Sequence, residues 1–177
     1  MPLDPLLERR YRLTSAFLAP ALSPPARLLD LGTDNPMAAR LRDQGFEVVN
    51  TQGEDLDDEP GAASVEADAV TAFEILEHLV NPLSVLRAIR APRLFATVPM
   101  RLWFASAYRN PTDPWDRHYH EFEDWQFDWL LEKGGWQIVR REKWTNPATH
   151  HPFGVRPILR RFVPRWYAVE AVRTEGA

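Results

Sequence analysis

Cysteine is absent from the 177 residues, which excludes a disulfide framework, a thiol nucleophile and a thiolate metal site. No run of about 18 apolar residues occurs, so no segment is suited to cross a membrane as a helix. The N-terminus sets Asp4, Glu8, Arg9 and Arg10 among its leucines and does not resemble a secretory signal, so a cytoplasmic location is expected. Basic charge is not in excess either: the formal net charge is −4. Nucleic acid is therefore not an expected partner, because phosphate binding needs a basic footprint. Ser64, Ser84 and Ser106 lack a Gly-x-Ser-x-Gly context, which leaves hydrolase chemistry without support. Gly-x-Gly-x-x-Gly is also missing, and a dinucleotide pyrophosphate needs the close backbone approach that its second glycine allows.

What is present belongs to an ordinary globular chain, with 45% hydrophobic and 26% charged residues. One domain over 1–177 can bury a core without metals or disulfides. Charge is uneven along it. Residues 47–68 hold eight acids and no base, whereas 140–173 hold eight arginines and lysines against Glu142 and Glu170. A solvated basic face is the plainer reading of the second stretch; an acidic or phosphorylated partner is the other.

Residues 27–36 organise the rest. Leu28, Leu29 and Leu31 form a short apolar run that must turn at Asp30 and Gly32, and a helix can start at Pro36 behind a cap from Asp34 or Asn35. A strand feeding a helix through a glycine turn makes a small-molecule site, since the free amides at the helix start favour an anion.

This order, followed some 40 residues later by Phe73-Glu74-Ile75-Leu76-Glu77-His78-Leu79-Val80-Asn81-Pro82, resembles the class I S-adenosylmethionine-dependent methyltransferases. Their first turn reads Asp-x-Gly-x-Gly-x-Gly; here Asp34 and Pro36 stand where the second and third glycines would fall. The resemblance covers roughly 25–145. It implies a Rossmann-like α/β fold: a mostly parallel twisted sheet, helices on both faces and an antiparallel C-terminal strand pair. It also implies S-adenosylmethionine as cofactor, lying across Asp30, Gly32, Asp34, Asn50, Glu54, Asp55, Phe73, Glu74 and Leu76. Asn50 takes the place of the carboxylate that accepts ribose hydroxyls about 20 residues past the first turn. Glu54 or Asp55 would meet the adenine amino group, or be solvated loop charges. Asp34 would set a carboxylate beside that of the cofactor and weaken its binding.

Along the chain, residues 1–22 carry a helix over 3–19, whose apolar side is expected to pack on the sheet edge rather than act as a lid. Residues 25–99 form the cofactor half, expected to be shortened by a helix and strand between Thr51 and Asp68, where no apolar period is found. Residues 100–177 form an aromatic half: nine of the twenty aromatic residues lie within 103–129. That stretch is read either as a pocket for the methyl acceptor or as a cover for the sheet. A helix from Glu123 to Lys133 stops at Gly134-Gly135. Segments 136–143 and 166–173 alternate as strands, with a proline-rich connection over 145–164 between them.

Methyl transfer from a sulfonium needs alignment and exclusion of water, and a base only for a poorly acidic acceptor. His78, His118 and His120 are the catalytic candidates, because imidazole titrates near neutrality. Alternation would put His118 and His120 on one side, but no third metal ligand accompanies them, so no metal site is expected. His150-His151 reads as solvated. Three functions remain: methyl transfer to a small-molecule acceptor, an inactive methyltransferase-fold binding or partner module, and another nucleotide-binding Rossmann-like enzyme. No feature bears on oligomeric state.

Overall fold

The structure, a computed structural model, describes residues 4–147 and 154–174. Six strands, β1 (Arg27–Asp30), β2 (Glu47–Asn50), β3 (Ala69–Phe73), β4 (Arg93–Pro99), β5 (Trp136–Thr145) and β6 (Pro164–Arg173), form one sheet in the order β2-β1-β3-β4-β6-β5. β1 to β4 are mutually parallel, and β6 runs antiparallel to both β4 and β5, the latter being the C-terminal pair that the resemblance implies. Between β2 and β3 stands only a short 3-10 helix, Pro60–Ser64, so β2 is an edge strand and the expected shortening is real.

Helices α1 (Pro5–Leu18), α2 (Pro36–Asp43), α3 (Pro82–Ala88), α4 (Asp124–Lys133) and α5 (Val155–Phe162), with a second 3-10 turn over Leu76–His78, complete the described elements. Period-two alternation in the strands divides the apolar residues between two cores. Leu28 and Phe95 meet Phe17 of α1 and Leu41 of α2 on one face. Leu29, Val70 and Leu94 meet Leu86 of α3 and Phe127 of α4 on the other. Each fully buried leucine or phenylalanine contributes about 1.5–3 kcal/mol. The buried Trp136 closes the second core, its Nε1 donating to the Leu86 carbonyl at 3.0 Å.

Local chemistry sets the helix ends. Asn35 Oδ1 accepts from the amides of Met37 (2.9 Å) and Ala38 (3.0 Å), with Pro36 at the first helical position. Asp4 caps α1 the same way, and Glu123 with Gln126 forms a capping box on α4. Helix α5 falls inside the stretch that the sequence leaves as a connection. Pro157 obscures it, yet proline is tolerated in a first turn, where its missing N–H has no partner to lose. Among the described residues no helix is long and apolar enough to cross a membrane.

The register places Asp30 beside Asn50 and Thr71, and Phe73 beside Thr97. These C-terminal ends of the parallel strands open on one crevice, where ligands bind in sheets of this kind.

Candidate active site

Asp30 is the node of the crevice floor. It is 3% exposed and accepts from Thr71 Oγ1 at 2.5 Å, Asn50 Nδ2 at 3.0 Å and Asn35 Nδ2 at 3.3 Å. Burial raises its pKa to about 6, against the opposing pull of those donors and of Arg42. Gly32 has φ +113°, a conformation that side chains disfavour, and its amide donates to Thr51 Oγ1 at 2.7 Å. Asn50 is fully engaged. Its amide nitrogen serves Asp30 and the Gly32 carbonyl, while its oxygen accepts from Arg42 Nη2 at 2.7 Å.

Arg42 also holds Asp34, whose carboxylate takes Nη1 at 2.6 Å and remains 71% exposed. Asp34 lines a surface pocket of about 380 Å³ beside β2, with Arg42 and Gln52. It is not among the residues that line the crevice pocket. Glu54 and Asp55 turn to their own loop, accepting from the amides of Gln52 (2.6 Å) and Asp57 (3.0 Å). Leu76 is fully buried in the α3 and α4 core. Asp57, which the sequence does not single out, accepts from the amides of Val80 and Asn81, both at 2.7 Å, and fastens its loop to the start of α3. The contact joins residues more than 20 positions apart and has no local signature.

The crevice pocket, of about 60 Å³, is lined by Arg10, Thr14, Asp30, Phe73, Glu74 and Thr97, among others. Helix α1 therefore both packs, through Phe17 and Leu18, and lines the site, through Arg10 and Thr14. Glu74 adopts φ +57°, which costs a non-glycine residue about 1–2 kcal/mol. Its Oε2 accepts from Arg10 Nη1 at 2.9 Å, whereas its Oε1 and the Thr97 hydroxyl are buried without partners among the described residues. The strain and the unpaired atoms occur together, as they do where a backbone is held for function.

A second group lies just past Glu74. Glu77, 1% exposed, follows β3 on a 3-10 turn, and its backbone carbonyl accepts from the amides of Tyr119 (2.9 Å) and His120 (3.2 Å). That clamp brings His118 to His78, the rings meeting edge-on with centroids 4.8 Å apart. Burial, and then the charge of Glu74, raises the Glu77 pKa well above the usual carboxylate range. Burial, and then His78, lowers that of His118 to about 4. A base so weak gains little from proton abstraction alone. His120 is not part of the group: it contacts the Val80 carbonyl at 3.4 Å and stacks on Phe122. Residues 116–121 form no strand, and the two histidines meet different partners, His118 meeting His78 and His120 meeting the Val80 carbonyl.

In the aromatic stretch Phe122 packs on Phe127 with ring centroids 5.1 Å apart, but Trp103 and Trp115 are 73% and 69% exposed and do not cover the sheet. Tyr108 tilts over His118 at 4.5 Å and donates to Asp116 at 2.5 Å. His150 and His151 lie outside the described residues.

A parallel sheet entered through Asp30-Leu31-Gly32 and closed by an antiparallel pair defines the Rossmann-like methyltransferase fold. Residues 6–141 match the family described as methyltransferase domain; the chain belongs to it, and S-adenosylmethionine is its cofactor. Among similar solved structures is a chain of the complex between the Haloferax volcanii Trm112 methyltransferase activator and a methyltransferase. It is 13% identical, with 97% of this chain and 92% of that chain covered and a TM-score of 0.65. An S-adenosylmethionine-dependent methyltransferase from Archaeoglobus fulgidus is 16% identical over 95% and 98% of the two chains, with a TM-score of 0.59. The [4+2]-cyclase SpnF is also 16% identical, over 94% and 82%, with a TM-score of 0.61. No curated protein matches the chain by sequence. At these identities the likeness is one of fold.

Proposed function

We propose that this chain transfers the methyl group of S-adenosylmethionine to a small-molecule acceptor held between α1 and the loop 100–123. The observation that carries the reading is the Arg10–Glu74 pair at 2.9 Å, with Glu74 Oε1 and Thr97 Oγ1 left unpartnered beside the Asp30–Gly32 turn. The amino-acid end of the cofactor bears a carboxylate and an ammonium, which complement Arg10 and Glu74. Gly32 would admit close backbone approach, Asn50 would exchange its Arg42 bond for the ribose hydroxyls, and Phe73 would flank the apolar part of the ligand. Bound there, S-adenosylmethionine supplies an electrophilic methyl group, so the chain has to align an acceptor and exclude water. Arg10, Tyr11 and Thr14 of α1 narrow the site from above, which favours an acceptor small enough to enter it. Glu77, His78 and His118 stand at the acceptor end.

Release of S-adenosylhomocysteine, measured over a panel of phenols, catechols, carboxylates and amines, tests this. Turnover with at least one acceptor is expected. Cofactor binding with no release above buffer for any acceptor would favour the second reading, a binding module without transfer. One observation supports that second reading: Asn50 is neutral and already committed to Asp30 and Arg42.

A further inference from the structure

We propose that Glu77, His78 and His118 form a binding site for one divalent transition-metal ion. Each residue offers a ligand atom, and the three atoms lie within 4.8 Å of one another. His78 Nε2 is 3.7 Å from Glu77 Oε1. An ion bonded to nitrogen and oxygen at about 2.1 Å draws its ligands roughly 3–4 Å apart, so the group is close to coordinating geometry.

Two further observations point to a cation. Glu77 is 1% exposed and its Oε2 has no partner among the described residues. The charged form of a carboxyl in that position is costly, and either a proton or a bound cation offsets the cost. The nearby guanidinium groups are committed elsewhere, Arg10 to Glu74 at 2.9 Å and Arg165 to the Met100 carbonyl at 2.5 Å. His118 Nδ1 is likewise buried without a partner. His78 is oriented as metal-bound histidines are: its Nδ1 lies 3.1 Å from the Arg117 carbonyl, and donation there leaves the Nε2 lone pair facing Glu77.

Two imidazoles and one carboxylate suit zinc, cobalt, manganese or ferrous iron, rather than magnesium or calcium, which prefer oxygen. Three protein ligands leave a position open, as catalytic sites do. An acceptor hydroxyl on that position would be acidified by the ion, which removes the need for a strong base. This use of the ion rests on the methyl-transfer reading; its binding does not.

The test uses the full chain, stripped with a chelator and titrated with Zn²⁺ by calorimetry and with Co²⁺ by visible absorption. One ion per chain is expected, with affinity lowered at least about tenfold in His118→Ala and in Glu77→Gln. His118 is partly exposed, so its variant should fold and carries the test even if Glu77→Gln does not. Absence of stoichiometric binding to the wild type, or wild-type affinity in His118→Ala, would overturn the site. No acceptor or cofactor is present in the titration, so failure of methyl transfer is a separate result.

Discussion

The Asn50 amide donates to the Asp30 carboxylate at 3.0 Å and so joins the C-terminal ends of two adjacent strands. This explains why the place of a ribose-binding acid holds an amide in this chain. A carboxylate there would sit about 3 Å from a buried one, and two such groups cannot both ionise at low cost. Asn50→Asp should therefore lower stability by about 2 kcal/mol at pH 8 and by clearly less at pH 5, where a shared proton relieves the pair. Chemical denaturation at the two pH values measures the difference, and an equal loss at both would refute the explanation.

Asp30 itself gives the apo chain a pH dependence. Its folded pKa, about 6, lies above the ordinary value of 3.8 because burial disfavours the charged form. The sign follows from linkage: a raised folded pKa contributes stability that is complete below the unfolded value and lost as pH rises through the folded one. A shift of about two units corresponds to about 3 kcal/mol, lost between roughly pH 4 and pH 7. The stability difference between the wild type and Asp30→Ala should shrink by that amount across the window. A carbon-13 titration of the Asp30 carboxyl should show a midpoint near 6, and a midpoint near 4 would remove the basis for the effect.

Arg140 holds α1 to the antiparallel end of the sheet. Its guanidinium lies 3.9 Å above the Phe17 ring, donates to the Phe17 carbonyl, and pairs with the 5% exposed Glu170 at 2.9 Å. In Arg140→Ala the buried carboxylate keeps only Arg93, at 3.8 Å. A loss of about 3 kcal/mol is expected, seen as a melting temperature lower by roughly 6–12 °C. A change under about 2 °C would show that Arg93 alone sustains the pair.

How much of this was legible depends on how local each cause is. The β1 turn, the Asn35 cap and the stop at Gly134-Gly135 are set by neighbours in the chain, and the sequence shows them. The alternation of β5 shows it as a strand; its antiparallel pairing with β6 is what the family resemblance implies. Helix α5 was hidden by Pro157, which is a breaker only in a helix interior. The site was harder to read, because its contacts cross the fold. Arg10 meets Glu74 over 64 residues, and Glu77 meets the loop of His118 through a backbone carbonyl that no side-chain pattern reveals. Alternation paired His118 with His120; the irregular loop instead turns His118 to His78 and His120 to Val80.

Arg10 and Glu74 are proposed to close a cofactor site over the Asp30–Gly32 turn. Isothermal titration of S-adenosylhomocysteine into the wild type, Arg10→Ala and Asp34→Gly tests it directly. Binding of one ligand per chain is expected, weakened about tenfold by Arg10→Ala through loss of a charge-assisted bond. Asp34→Gly should stay within about twofold of wild type, since only an exposed ion pair is lost. No heat of binding to the wild type, or wild-type affinity in Arg10→Ala, would contradict the assignment of this crevice.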